Sequence, residues 1–299
     1  MTRSDTIRHA VGVDVGGSHV CAAVVDLGSG ALCSEPVSVP VDSHAGAVPI
    51  LDAWAEGIRE AIRRSGVVPS GVGLAFPGPF DYVRGISLIN GVNKFDRIYG
   101  LDIASSLRTR LRDTGVDAFR FVNDASAFAL GESLGGAAKD AERVVALTLG
   151  TGVGSGFVAG HRLIESGDEV PANGWVYHLP FESGIVDEAF STRWICSRYR
   201  ELTGRTVEGA KQVADRYDED PASRQLFAEY GERLAAFAGP VLDRFRCRVL
   251  LLGGNISRAY GLFRPTLEAR FSRDGRDVQV CTSQLLDRAA LIGAASLFL

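Results

Sequence analysis

Lysine is nearly missing from this sequence: Lys94, Lys139 and Lys211 are its only three, and arginine supplies the other 29 of 32 basic residues. None of these cations gathers into a run, and acidic residues outnumber basic ones for a formal net charge of -4. Such a chain has no basic stripe to neutralise a phosphate backbone, so nucleic acid is not an expected partner. Long apolar runs are missing as well. No segment approaches the roughly 20 residues that span a bilayer, and residues 1–9 are polar and charged, unlike the apolar core of a leader. The expectation is a cytoplasmic protein with no membrane partner. Its five cysteines, Cys21, Cys33, Cys196, Cys247 and Cys281, are odd in number and never spaced Cys-x-x-Cys, which fits reduced thiols and excludes a disulfide framework.

What is present is apolar substance and glycine. With 299 residues and 46% hydrophobic content, the chain can fill two cores, and two domains are expected. Residues 10–15 form a short apolar run that stops at Gly16-Gly17-Ser18, and 20–26 resumes a second, a pattern that predicts a hairpin. Leu51, Trp54, Ile58 and Ile62 have helical spacing, so 50–65 is predicted helical. A strand over 71–76 halts at Pro77-Gly78-Pro79, where loop is expected. Residues 103–111 read as helix, 118–122 as strand, and 124–134 as a helix opening on acidic Asp124. The run 144–149 then meets Gly150-Thr151-Gly152-Val153-Gly154-Ser155-Gly156 and a short return strand at 162–164, repeating the opening pattern as a weak internal duplication. Residues 192–245 are helical in character, 249–252 form a buried strand ending at Gly253-Gly254-Asn255, and 285–299 read as a closing helix.

Adjacent glycines let backbone N–H groups approach a phosphate closely, so both Asp14-Val15-Gly16-Gly17-Ser18 and the 150–156 turn are candidate phosphate clamps. Taken singly, each is equally an ordinary hairpin turn. The second is neither a dinucleotide fingerprint, which must open a helix, nor a P-loop, which needs Gly-Lys-Ser/Thr. Asp14, at a strand end, could hold Mg²⁺ directly or through water. Phosphoryl transfer to an alcohol needs a base, and Asp124 stands where a strand passes into a helix; simple helix capping is its bland alternative.

Seven segments in order carry a resemblance: residues 13–18; 76–79; Asn90 with Asn93; Asn123-Asp124-Ala125 through Gly131-Glu132; 149–156; 252–257; and 289–295. Together they resemble the ROK family of sugar kinases, within the actin, hexokinase and Hsp70 ATPase superfamily. The resemblance implies an α/β, two-lobed actin-like ATPase fold of ribonuclease H-like type, with ATP and sugar in the interdomain cleft. It places a small domain at 1–122 plus 285–299 and a large one at 123–284. It implies that Asp14, Gly16, Gly17, Ser18, Gly150, Thr151 and Gly152 bind Mg-ATP, that Gly253, Gly254 and Asn255 border the adenosine, and that Asp124 is the catalytic base. Gly78, Asn90, Asn93, Asn123, Asp124, Trp175, His178 and Asp187 are the implied sugar contacts, with Glu188 an off-by-one alternative to Asp187. A homodimer is implied too.

Departures from the family pattern bear on the sugar and on metal. Typical members carry a cysteine-rich zinc motif just after a histidine, with a sugar-binding Glu three residues before that histidine. Here the histidine is His178, the Glu position holds Trp175, and residues 179–191 contain no cysteine. No zinc site is therefore expected. His178 fits a sugar contact or a partnered core histidine equally. The expected activity is transfer of the ATP γ-phosphate, with Mg²⁺, to the 6-hydroxyl of a hexose or amino-hexose, kanosamine being the named candidate. The alternatives are a sugar-sensing regulator, which would need a DNA-binding segment where only about nine residues precede the first strand, and a non-catalytic nucleotide-binding protein.

Overall fold

The computed structural model of the chain describes residues 9–92 and 94–299. Its contacts divide it into two units, Met1–Gly135 with Asp287–Leu299, and Gly136–Leu286.

The first unit is built on β1 (His9–Val15), β2 (His19–Asp26), β3 (Val37–Pro40), β4 (Val72–Phe76) and β7 (Phe119–Asn123), in sheet order β3-β2-β1-β4-β7. β1 and β2 pair antiparallel from Val15↔Val20 to His9↔Asp26, as the apolar runs around Gly16-Gly17-Ser18 require, whereas β1, β4 and β7 run parallel. Helix α1 (Ala47–Ser65) buries Ile50, Leu51, Trp54, Ile58 and Ala61, the face set by the i, i+4 spacing, and stops where Gly66 turns left-handed. Trp54 meets Phe76 and Phe95 edge-on at 5.3 and 5.5 Å. Burial of each such ring contributes about 1.5–3 kcal/mol. The expected loop after Phe76 contains a two-strand hairpin, β5 (Phe80–Asp81) with β6 (Ile86–Ser87). Helix α2 (Ile103–Arg110) starts on an Asp102 side-chain cap.

Helix α3 (Asp124–Gly135) and the last helix, α9 (Arg288–Ala295), complete this unit. They touch backbone to backbone: a Cβ on Gly131 would stand 1.9 Å from the Ala289 carbonyl oxygen. The small residues of 289–295 thus serve close approach. This packing puts α3 in the first unit, so the observed seam follows Gly135 and differs from the boundary after residue 122 expected from the sequence. The closing helix begins three residues later than expected, after left-handed Leu286.

The second unit repeats the plan. β8 (Arg143–Leu149), β9 (Val153–Ala159), β10 (Arg162–Leu163), β13 (Val249–Gly253) and β14 (Gln279–Thr282) form a sheet of order β10-β9-β8-β13-β14, with β8 antiparallel to β9 and parallel to β13. A two-strand hairpin, β11 (Pro180–Phe181) and β12 (Gly184–Ile185), leads into α4 (Val186–Phe190), α5 (Thr192–Thr203), α6 (Ala210–Ala214) and the long α7 (Pro221–Arg244). α7 opens on an Asp220 cap with proline at its first position, and sends Leu226, Phe227, Tyr230, Leu234 and Phe237 into the core. Among the elements without a sequence signal are the short β11, β12 and α4, α8 (Tyr260–Arg273), whose pattern is broken by an internal Pro265, and short β14. Among the described residues no helix is long and apolar enough to cross a membrane.

Candidate functional site

Two sets of candidate residues converge, one in each unit. In the first unit, Asp14 is the penultimate residue of β1 and lies half-buried. Burial, followed by the charges of Asp124 and Asp287, pushes its carboxyl up to about 7. The charges of two further carboxylates therefore bear on Asp14. Asp287, just before α9, was missed by sequence reasoning; an acid ahead of a run of small residues was its only signal. The Gly16 N–H is spent on the turn, donating to the His19 carbonyl at 3.0 Å, and Gly17 and Ser18 stand exposed at the tip. The Ser18 hydroxyl lies 3.0 Å from His19 Nδ1.

Asn123 takes over the capping role that was the bland account of Asp124. Its Oδ1 accepts from the N–H groups of Ala125 at 3.1 Å and Ser126 at 3.3 Å, while its Nδ2 donates to the Tyr82 hydroxyl at 3.3 Å. Tyr82 in turn donates to the Phe76 carbonyl at 3.0 Å, tying the end of β7 to the end of β4. Asp124 is left as the first residue of α3, accessible to solvent, with one oxygen accepting from Ala125 N–H at 2.9 Å. Desolvation nonetheless raises its pKa, against that hydrogen bond and the charge of Lys94. Such a carboxylate is a stronger base than an ordinary aspartate. Gly78, preceding a cis bond to Pro79, and Asn90 are exposed on this unit. Asn93 lies outside the described residues.

In the second unit the turn after β8 closes by Gly150 N–H donating to the Gly152 carbonyl at 3.0 Å, leaving Thr151 exposed. The Gly150 carbonyl accepts from both the N–H and the hydroxyl of Thr192, at 2.8 and 3.0 Å. Thr151 and Asn255 line one cavity of about 770 Å³, together with Thr192, Gly209, Lys211 and Arg258. That size suits a nucleotide-sized ligand. Lys211 pairs with Asp215 at 2.6 Å, and Arg258 has no ion-pair partner among the described residues, so it offers uncompensated positive charge. Neither cation was singled out from the sequence, where a lone Lys and one Arg among many carry no motif. Gly254 lets the backbone pass: it has φ of 78° and a Cβ there would lie 2.4 Å from the Leu149 carbonyl oxygen. Gly253 is the buried last residue of β13, paired with Thr148, so Gly254 and Asn255 are the open positions of that turn.

The candidate sugar residues of this unit form an aromatic strip. Trp175 is half-buried, its Nε1 without a hydrogen-bond partner among the described residues, and its ring lies 6.2 Å from that of Tyr177. Tyr177 meets His178 edge-on at 5.0 Å, and both are exposed, which removes the core-histidine alternative. Buried Ser155 holds the strip, donating to the Gly174 carbonyl at 2.6 Å and accepting from Val176 N–H at 3.0 Å. Asp187 is already engaged: it accepts from Val153 N–H at 2.8 Å and from Arg193 at 2.5 Å. Glu188 accepts from the Ile185 N–H at the start of α4.

The donor sets fit Mg-ATP. Asp14, with Asp124 and Asp287 as neighbours, could supply the one or two carboxylates magnesium takes alongside nucleotide oxygens, although no three His, Cys, Asp or Glu among the described residues close into a cage. In the second unit's cavity the Thr151 hydroxyl and Arg258 could meet phosphate.

Comparison with known proteins bears on the family and the fold. A model of the ROK family matches residues 10–299. An N-acetyl-D-glucosamine kinase of Haemophilus influenzae is 26% identical, over 96% of this chain and 98% of its own length. A glucokinase of Thermotoga maritima is 28% identical, covering 96% of each. The crystal structure of a ROK hexokinase from Thermus thermophilus superposes with a TM-score of 0.81 at 25% identity, over 96% of this chain and 97% of that one. The fold is accordingly the two-lobed actin-like ATPase fold of ROK hexokinases.

Proposed function

Because the chain belongs to the ROK family, we propose that it is an ATP-dependent kinase of a small sugar, transferring the γ-phosphate to the 6-hydroxyl of a hexose or amino-hexose. The observation that carries this is the state of Asp124: relieved of capping by Asn123, solvent-accessible, and held by desolvation above the ordinary aspartate value. Asp124 would take the hydroxyl proton as the sugar oxygen bonds to the γ-phosphorus and the bridging bond to ADP breaks. Asp14 would hold Mg²⁺, directly or through water. That ion, when bound, neutralises charge on the phosphate oxygens. Lys211, Arg258, Thr151 and Asn255 would hold the nucleotide, with Gly254 letting the backbone pass beside them. The family likeness also carries the expectation of a homodimer, which light scattering would read.

By the family resemblance Trp175 takes the place of a sugar-binding carboxylate, and this change favours a sugar other than plain glucose. An indole stacks on a pyranose face but cannot accept from a ring hydroxyl. The acidic side chain of Asp124 would favour an ammonium through a charge-assisted hydrogen bond, so an amino-hexose such as kanosamine is the preferred candidate. Measuring kcat/KM for glucose, glucosamine, kanosamine and N-acetylated hexosamines tests this. An amino-hexose should lead; glucose as best substrate would overturn the specificity, and no turnover of any sugar would overturn the activity.

A further inference from the structure

The β11–β12 hairpin follows His178 in the stretch where the family resemblance would put zinc-binding cysteines, and it cannot be self-supporting. Its ladder consists of only Pro180↔Ile185 and Phe181↔Gly184, and an isolated two-strand ladder that short is unstable in water. Zinc does not fit here. A closed structural site needs four N, S or carboxylate ligands, while residues 179–191 hold no cysteine and His178 is a single, exposed imidazole. The nearby acids are also committed: Glu182 to Arg233, Asp187 to Arg193 and Val153 N–H, Glu188 to the Ile185 N–H.

What fills the role of an anchor is a side chain from α7. The Arg233 guanidinium, only 15% exposed, grips Glu182 at the hairpin tip through two hydrogen bonds, 3.2 Å from Nε and 2.7 Å from Nη2. It also donates to the Ala189 carbonyl at 3.4 Å. Its carbon lies 4.5 Å from the centre of the Trp194 ring, 5.6 Å from Phe181 and 5.8 Å from Phe190. One planar cation thus joins the hairpin, α4 and α5, as a forked guanidinium can and an ammonium cannot. Tyr230, one turn earlier on α7, adds a hydrogen bond of 2.9 Å to the Phe190 carbonyl.

We propose that Arg233 is a positioning residue that does in this chain the structural work zinc does in cysteine-bearing relatives. It fixes the hairpin, and through it the two stretches that flank it. Val186 N–H donates to the Leu179 carbonyl at 3.0 Å and Asp187 N–H to the Tyr177 carbonyl at 2.9 Å, so the hairpin's stem sets the aromatic strip against the start of α4. Asp187 then braces the glycine turn at Val153; a Cβ on Gly152 would come within 2.8 Å of its carboxylate. The effect on sugar rests on the proposed sugar-kinase function; the anchoring itself does not.

Hydrogen exchange of the full chain, without substrate, reads the anchoring directly. Arg233→Met keeps the bulk of the side chain and removes the fork and the charge. Amides of 181–188 should exchange roughly tenfold faster than in wild type, with β8, β9 and β13 unchanged. In the milder Glu182→Gln the same amides should exchange about threefold faster, which keeps the test available should Arg233→Met not fold. Arg233→Lys should not restore protection. Where a sugar is turned over, its KM should rise about tenfold in Arg233→Met while nucleotide KM stays within about twofold. Unchanged exchange over 181–188 in both variants, or one tightly bound zinc per wild-type chain by elemental analysis, would overturn the proposal. Absence of sugar turnover in wild type with accelerated exchange in the variants would overturn only the sugar-kinase function.

Discussion

The first strands of the two units, β1 and β8, are each seven residues long and share one burial sequence, alternating only at the ends. Each meets a glycine turn, pairs antiparallel with the strand that returns from it, and lies parallel to the next strand inward. Yet at the penultimate position β1 carries Asp14 and β8 carries Thr148. The same backbone therefore frames an acidic cluster in one unit and a cavity with two threonines, Lys211 and Arg258 in its lining in the other. Topology supplied two equivalent turns, and a few side chains divided the chemistry between them.

The sharpest break of this comparison is Asp124→Asn. We expect kcat to fall by about 10²–10⁴ with both KM values little changed and no loss of thermal stability, since desolvation already disfavours the charge. Steady-state kinetics and a melting curve check it; wild-type kcat would remove Asp124 from the mechanism.

Asp14 gives the next largest effect, and its sign is set by its raised pKa. Its folded pKa of about 7 exceeds the ordinary 3.8, so the folded state binds the proton more tightly and stability drains away as pH rises from about 4 through 7. Asp14→Asn should consequently raise Tm by roughly 5 °C at pH 8 and hardly at all at pH 4. Mg²⁺ should stabilise wild type more at pH 8 than at pH 5, and the variant at neither. A Tm difference independent of pH would contradict the assignment.

In the second unit the effects should fall on the nucleotide. Arg258→Ala is expected to raise nucleotide KM about tenfold, the worth of one hydrogen bond to a charged group, and to leave sugar KM unchanged. An unchanged nucleotide KM would mean that the cavity serves another ligand. Smaller still, Ser155→Ala should raise sugar KM about threefold, because the Gly174 carbonyl and Val176 N–H lose one shared partner.

Much of the fold was legible because glycine and apolar runs are local signals. The hairpins at Gly16-Gly17-Ser18 and at 150–156 could be read as a repeat, and the spacing of Leu51, Trp54 and Ile58 marked α1. The seam after Gly135 could not be read, because it depends on α3 touching α9 across more than 150 residues of sequence. α8 stayed hidden because Pro265 breaks the local propensity that packing against α7 overrides. In the site, carboxylates next to glycine turns stood out, whereas Lys211, Arg258 and Ser155 sit in no motif and acquire meaning only from what lies near them in space. Asp187 was legible as a residue, and its engagement with Val153 and Arg193 was not.

The central claim, that these divided turns serve phosphorylation of a sugar hydroxyl, is tested most directly by phosphorus NMR of the wild-type reaction with ATP, Mg²⁺ and an amino-hexose. The predicted product is a phosphate ester coupled to the exocyclic methylene protons, formed in equal amount to ADP. Inorganic phosphate as the sole product, or ATP left intact with every sugar of the panel, would contradict it.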